Sequence, residues 1–324
     1  MRCSFFNGYS AYAEYDGLRK FTLSNEKTNM TKHLRILQPH KNIYAYYDGR
    51  VAGYRFMEQN NWVDNGALSL GVASYAIVDG DEALVYDTHC SNDYATAIRH
   101  HLTSIGIKKF TVLLSHWHLD HVAGTEVFKD CTIIANQKTA GHLSKRKSAI
   151  EDGTDHGLPA INPLILPTQT FSKSMNFKLG MLDLQFLEFN IHSDDATVVW
   201  MKEQGVLLAG DTMEDTVTFV AEAEYFDTHL ADLDHIWALS PTHILPNHGH
   251  PDVIAKGGYG KTFIRATQQY IRMLKRMASE PDLRDQPLRQ IISGPLEAGW
   301  VNYFESYEAV HKGNVELVLK ASLN

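Results

Sequence analysis

Short apolar runs separated by polar turns recur along most of the chain, and their period switches between strand-like and helix-like. Residues 74–78 and 83–86 are runs rich in Val, Ile and Tyr joined by Asp79-Gly80-Asp81, a hairpin signal. Beyond Asp87 a helix is expected: Ser91 suits its N-cap, Tyr94, Ile98 and Leu102 share one face, and Gly106 sits where a helix ends. Residues 111–114 follow as a short buried strand. Leu182, Leu184 and Phe186 alternate with polar partners after Gly180, and residues 197–200 and 206–209 form two more strands around Glu203-Gln204-Gly205.

Further on, Leu230, Leu233, Ile236 and Trp237 recur at helical spacing before Ser240-Pro241, and residues 243–245 make a brief strand. The tail is mostly helical. Ile264, Thr267, Ile271 and Leu274 share one face there, as do Phe304, Tyr307 and His311. With no repeat, low-complexity tract or long linker, residues 34–324 are expected to form one continuous α/β domain. Residues 1–33 precede it as a polar extension, and the first 29 of these are expected to be loosely held.

Composition narrows the function classes. Of the 324 residues, 44% are hydrophobic, enough for a sizeable core and too many for a disordered chain. No apolar run reaches the roughly 18 to 20 residues of a spanning helix, so no membrane is expected. The formal charge of −8 disfavours a phosphate backbone, so no nucleic acid partner is expected either. Cys3, Cys90 and Cys131 lack the paired spacing of a disulfide framework, and no signal-peptide pattern opens the chain; both suggest a cytoplasmic protein. The abnormal count is 17 His, whose positions decide what they do.

Directly after the expected strand 111–114 comes Ser115-His116-Trp117-His118-Leu119-Asp120-His121. In an extended chain His116 and His118 point the same way and can bind one metal, while Asp120 and His121 on the following turn can face a neighbouring site. More donors sit just beyond apolar strands: His192, Asp211 in Leu-Ala-Gly-Asp-Thr, and His248 in Leu-Pro-Asn-His-Gly-His. Strand ends converging on one rim are how open α/β sheets build sites. Five His and two Asp suffice for two divalent ions with a position left for water.

This pattern resembles the metallo-β-lactamase superfamily, whose His-x-His-x-Asp-His motif is matched by His116, His118, Asp120 and His121. The later markers resemble Asp87, His192, Gly210-Asp211 and His248, in order. The resemblance implies a four-layer αββα sandwich with the metals at one edge of the two sheets. It implies that His116, His118 and His192 hold one metal, that Asp120, His121 and His248 hold another, and that Asp211 bridges them. Asp87 would orient a ligand by a hydrogen bond. The metals would be zinc, with manganese or iron as alternatives.

Departures from the pattern shape the expectation. Asn190-Ile191-His192-Ser193-Asp194-Asp195 replaces the Gly-His-Thr-Pro-Gly of the glyoxalase II branch, a bridging Asp211 separates the chain from the zinc β-lactamases, and His118 excludes the flavodiiron branch. The expected activity is hydrolysis of a small ester or lactone by hydroxide bridging two cations, with Asp120 passing a proton to the leaving group. Phosphate ester, sulfate ester and thioester hydrolysis are rivals within the fold. A persulfide-dioxygenase-like mononuclear iron oxygenase of the same fold and a metal-binding protein without catalysis are rivals of other function classes. Tyr225 and Tyr259 are candidate substrate contacts, residues 153–170 a candidate lid, and residues 54–62 a candidate homodimer contact.

Overall fold

A computed structural model of the chain describes residues 31–322. The reading of residues 1–29 as a loose extension lies outside them. Among the described residues the strands form two mixed sheets. The first runs in chain order through β1 (Arg35–His40), β2 (Ile43–Asp48), β3 (Val72–Asp79), β4 (Glu82–Tyr86), β5 (Lys109–Leu113), β6 (Thr132–Asn136) and β7 (Gln169–Phe171). It is antiparallel up to β4 and parallel beyond it. The second contains β8 (Ser174–Leu179), β9 (Leu182–Ile191), β10 (Ser193–Met201), β11 (Val206–Gly210) and β12 (His243–Pro246), ordered β12-β11-β10-β9-β8, with β11 and β12 parallel.

The α-helices are α1 (Asn92–Ser104), α2 (Leu119–Val122), α3 (Gln137–Glu151), α4 (Phe226–Leu239), α5 (Pro251–Ala255), α6 (Thr262–Met277), α7 (Leu288–Ile291), α8 (Ser293–Glu297) and α9 (Tyr307–Ala321). Three apolar clusters make the layers. Tyr47, Tyr75, Leu84 and Leu113 of the first sheet meet Phe186, Val199, Leu208 and Leu245 of the second. On the first sheet's outer face, Val85, Val112 and Ile133 pack under Ile98, Leu102 and Leu143 of α1 and α3. On the second's, Val198, Trp200 and Leu207 pack under Leu233, Ile236, Ile271 and Leu274 of α4 and α6. This is the αββα sandwich.

Burial on both faces explains why β3, β4 and the second half of β10 (residues 198–201) are almost continuously apolar instead of alternating. Helix α6 shows the complementary pattern. Phe263, Ile264, Ile271 and Leu274 are buried while Arg272, Lys275 and Arg276 face solvent, and each buried apolar side chain is worth about 1.5–3 kcal/mol.

The expected strands and helices fall within these elements, save that the strand expected over 111–114 ends at Leu113 and one helical face is corrected. Ser91 occupies the N-cap of α1 in an extended conformation, but its hydroxyl makes no capping bond. Phe304 lies before α9 and shares no helical face with Tyr307 and His311. Strands β1, β2, β6 and β8 carry weaker local patterns and had no expectation. Among the described residues no helix is long and apolar enough to cross a membrane.

Candidate metal centre

The ends of β4, β5, β9, β11 and β12 meet at one edge of the sandwich. Past β5 the chain bends at Ser115 and Trp117, and His118 (φ −62°, ψ 148°) takes the N-cap position of α2; His116 and His118 still project together, and α2 then turns Asp120 and His121 towards them. Asp87 and His192 sit at the strand ends with left-handed backbone (φ 68° and 71°), a strain of about 1–3 kcal/mol each that the surrounding bonds hold in place. Gly210 permits the approach of β11: a Cβ there would lie 2.8 Å from the Tyr86 hydroxyl and 3.3 Å from Ser115 Cβ.

Nε2 of His116 and Nε2 of His192 each lie 2.9 Å from Nδ1 of His118. The outward-facing nitrogens identify the tautomers. Ser115 Oγ donates to Asp87 Oδ2 at 2.6 Å, so at 2.8 Å it accepts from His116 Nδ1. His192 Nδ1 donates to the Phe219 carbonyl (3.1 Å), His248 Nδ1 to the Gly71 carbonyl (2.8 Å), and His121 Nδ1 to Asp87 Oδ2 (3.0 Å). With those protons placed outside, the Nε2 lone pairs of His116, His121, His192 and His248 all face inward.

A second group adjoins the three-histidine one. Asp120 Oδ1 is 3.4 Å from His121 Nε2, and Asp120 Oδ2 is 3.2 Å from His248 Nε2. Asp211 Oδ2 lies between the groups, 3.1 Å from His121, 3.3 Å from His248, 3.5 Å from His116 and 3.7 Å from His192. His121 Nε2 and Asp211 Oδ1 are buried without a hydrogen-bond partner. Inward-facing ring nitrogens, two carboxylates and unpartnered buried polar atoms form a donor set that fits divalent cations.

The charges interlock. Burial opposes ionisation of Asp120 and Asp211, yet the adjacent His121 and His248 hold both carboxyls well below the usual range. Burial and neighbouring imidazoles push His116 and His118 well down, leaving them neutral. Burial likewise opposes the charge on His121 and His248, but Asp120 and Asp211 raise both. Cations taking that second group therefore displace protons. His116, His121, His192, Asp211 and His248 are buried, whereas His118 and Asp120 are partly open to solvent.

All seven expected donors are thus brought together, and Asp87 stands behind His121 and Ser115. The tyrosines part company. Tyr259 is buried and its hydroxyl donates to Asp215 Oδ2 (2.6 Å) while accepting from the His250 amide (2.7 Å), so its proton is committed and it is corrected to a structural residue. Tyr225 is 48% exposed in the turn before α4. Residues 153–170 are packed down at Ile161 and Leu164, with the Trp62 indole donating to the Pro159 carbonyl at 3.0 Å. Tyr54, Phe56 and Trp62 cover a small cluster around Val63 and Tyr94.

Sequence reasoning missed three partners. Asn247, adjacent to His248, donates to Asp87 Oδ2. Asp195 accepts from the Trp117 amide (2.9 Å), pinning the chain between His116 and His118. Glu214 lies 3.4 Å from His192 Nδ1. Closeness to a ligand in the sequence was their one signal.

The family model for the metallo-beta-lactamase superfamily matches residues 69–250. The "Beta-lactamase-like protein 2 homolog" of Caenorhabditis elegans is 24% identical over 183 residues, which are 55% of this chain and 56% of that protein. The chain thus spans little more than half the length of this relative. Among solved structures, the metallo-beta-lactamase from Pontibacter korlensis aligns at 15% identity with a TM-score of 0.55, covering 74% of this chain and 99% of that one. FIM-1 from Pseudomonas aeruginosa, in its mono-zinc form, aligns at 15% identity with a TM-score of 0.55, covering 74% and 95%. At these identities the likeness speaks for the fold.

Proposed function

The chain belongs to the metallo-beta-lactamase superfamily, and from that membership and its own site we propose that it is a binuclear metal-dependent hydrolase of small ester or lactone-like substrates. The observation that carries this reading is Asp211 Oδ2, which lies within 3.7 Å of ring nitrogens from both ligand groups, where a carboxylate shared by two cations belongs.

His116 Nε2, His118 Nδ1 and His192 Nε2 would hold one cation; Asp120, His121 Nε2 and His248 Nε2 the other; Asp211 both. Two divalent cations supply hydroxide at neutral pH and draw electron density from a scissile carbonyl. The chain's own residues do the rest. Ser115, Asp87 and the Phe219 and Gly71 carbonyls keep the imidazoles of His116, His121, His192 and His248 turned inward, so these four need no reorientation during turnover. Asp120 is the carboxylate whose side chain remains 17% exposed, and it moves a proton to the leaving group at the open side.

Carbonyl substrates are favoured over anionic ones by the pairing of local cations. The Arg146 guanidinium lies 4.0 Å from the centre of the Trp117 ring beside the site, but it is bonded to both oxygens of Asp155. The complete second group favours hydrolysis over a mononuclear iron oxygenase.

Metal content per chain, measured by plasma mass spectrometry on protein purified without added metal or chelator, tests the reading. Two equivalents with turnover of a lactone or aryl ester support it. One equivalent of iron with oxygen uptake overturns it in favour of the oxygenase, and two equivalents with turnover of phosphate or sulfate esters alone overturn the substrate class.

A further inference from the structure

Resting on that reading, we propose that Glu214 is the positioning carboxylate of the three-histidine group and that helix α9 holds it there, so that metal occupancy at His192 depends on a part of the chain outside the family-matched residues.

Glu214 follows Asp211 on the loop after β11 and is buried. Its Oε1 lies 3.4 Å from His192 Nδ1 and accepts from the Phe219 amide at 2.9 Å and the Thr218 hydroxyl at 3.2 Å. Phe219 in turn offers the carbonyl that takes the His192 Nδ1 proton, and the Ala221 amide donates to the His192 carbonyl at 2.9 Å. Residues 218–221 therefore grip both the ring and the backbone of His192, and Glu214 sets the loop while adding a negative charge behind the ring. A carboxylate there favours the Nδ1–H tautomer and makes Nε2 a stronger donor.

Helix α9 closes the arrangement from the other side. Tyr307 donates to Glu214 Oε2 at 3.2 Å. Asn314, fully buried, accepts from the Val220 amide at 3.0 Å and donates to the Thr218 carbonyl at 3.0 Å, clamping the same residues 218–220. Tyr307 and Asn314 both lie beyond residue 250, where the family match ends.

Metal-free protein is titrated with cobalt against a competing chelator, for the wild type, Glu214→Gln, Tyr307→Phe and His192→Ala, with apo-protein melting recorded for each. Glutamine keeps an oxygen for the Phe219 amide and removes the charge. The expected result is a roughly 10–100-fold weakening in Glu214→Gln of the one step that His192→Ala abolishes, with the other step within about twofold and a smaller change of the same kind in Tyr307→Phe. Unchanged affinities, or equal weakening of both steps, overturn the proposal. Should Glu214→Gln fail to fold, Tyr307→Phe alone decides it by the same criterion. A wild type that binds fewer than two equivalents overturns the binuclear reading instead.

Discussion

Asp87 and His121 lie 34 positions apart in the chain, yet the Asp87 carboxylate accepts the His121 Nδ1 proton at 3.0 Å inside a fully buried network. The same carboxylate accepts from the Ser115 amide and hydroxyl and from Asn247. One residue at the end of β4 thereby orients histidines that follow β5, and ties them to the residue preceding His248.

Asp87→Asn is the sharpest substitution there, because Asn tolerates the left-handed backbone while losing an acceptor oxygen. Its amide would face the Ser115 donors or the His121 donor without an acceptor. Metal affinity is expected to fall about 10–100-fold, measured by chelator competition, with the fold intact by circular dichroism. Unchanged affinity would show that His121 needs no such partner.

Asp120→Asn separates metal binding from proton transfer. The amide keeps one oxygen for either His121 or His248, which face different oxygens of the carboxylate, but no proton can be carried. Turnover is expected to fall about 10²–10⁴-fold with most of the metal retained. Full metal content with wild-type kcat would remove Asp120 from the mechanism.

His229 on α4 gives stability a pH dependence. Burial, with His192 nearby, lowers its pKa to about 4 from 6.5, and its Nε2 bonds Asn190 Oδ1 at 3.0 Å. Because the folded state binds the proton less readily than the unfolded one, this contribution is complete above pH 6.5 and is lost as pH falls towards 4, a total on the order of 3 kcal/mol. His229→Gln should flatten the fall in melting temperature between pH 7 and 4.5. Identical slopes for the two proteins would exclude His229 as the source.

Tyr259→Phe distinguishes packing from substrate contact. Removing the hydroxyl strands the His250 amide and takes a donor from buried Asp215, costing about 1–3 kcal/mol of stability in thermal or urea unfolding. KM for any substrate found should stay near wild type. A rise in KM without loss of stability would restore the substrate role that the buried geometry argues against.

The features legible in the amino-acid sequence are local. The spacing His116-x-His118-x-Asp120-His121 places donors just beyond a strand, apolar runs mark the strands that end near Asp87, His192, Asp211 and His248, and the alternation of elements points to a layered α/β architecture. These features follow from the two-residue period of a strand and the 3.6-residue period of a helix, both written in neighbouring positions. Which strand ends meet, and what stands behind each ligand, emerges only when the chain is packed. Asn247 reaches Asp87 across 160 positions, Tyr307 reaches Glu214 across 93, and Tyr259 spends its proton on Asp215 rather than on a substrate. No periodic pattern encodes such pairings, because a buried polar atom takes whatever partner the packed sheets and helices bring within hydrogen-bond reach.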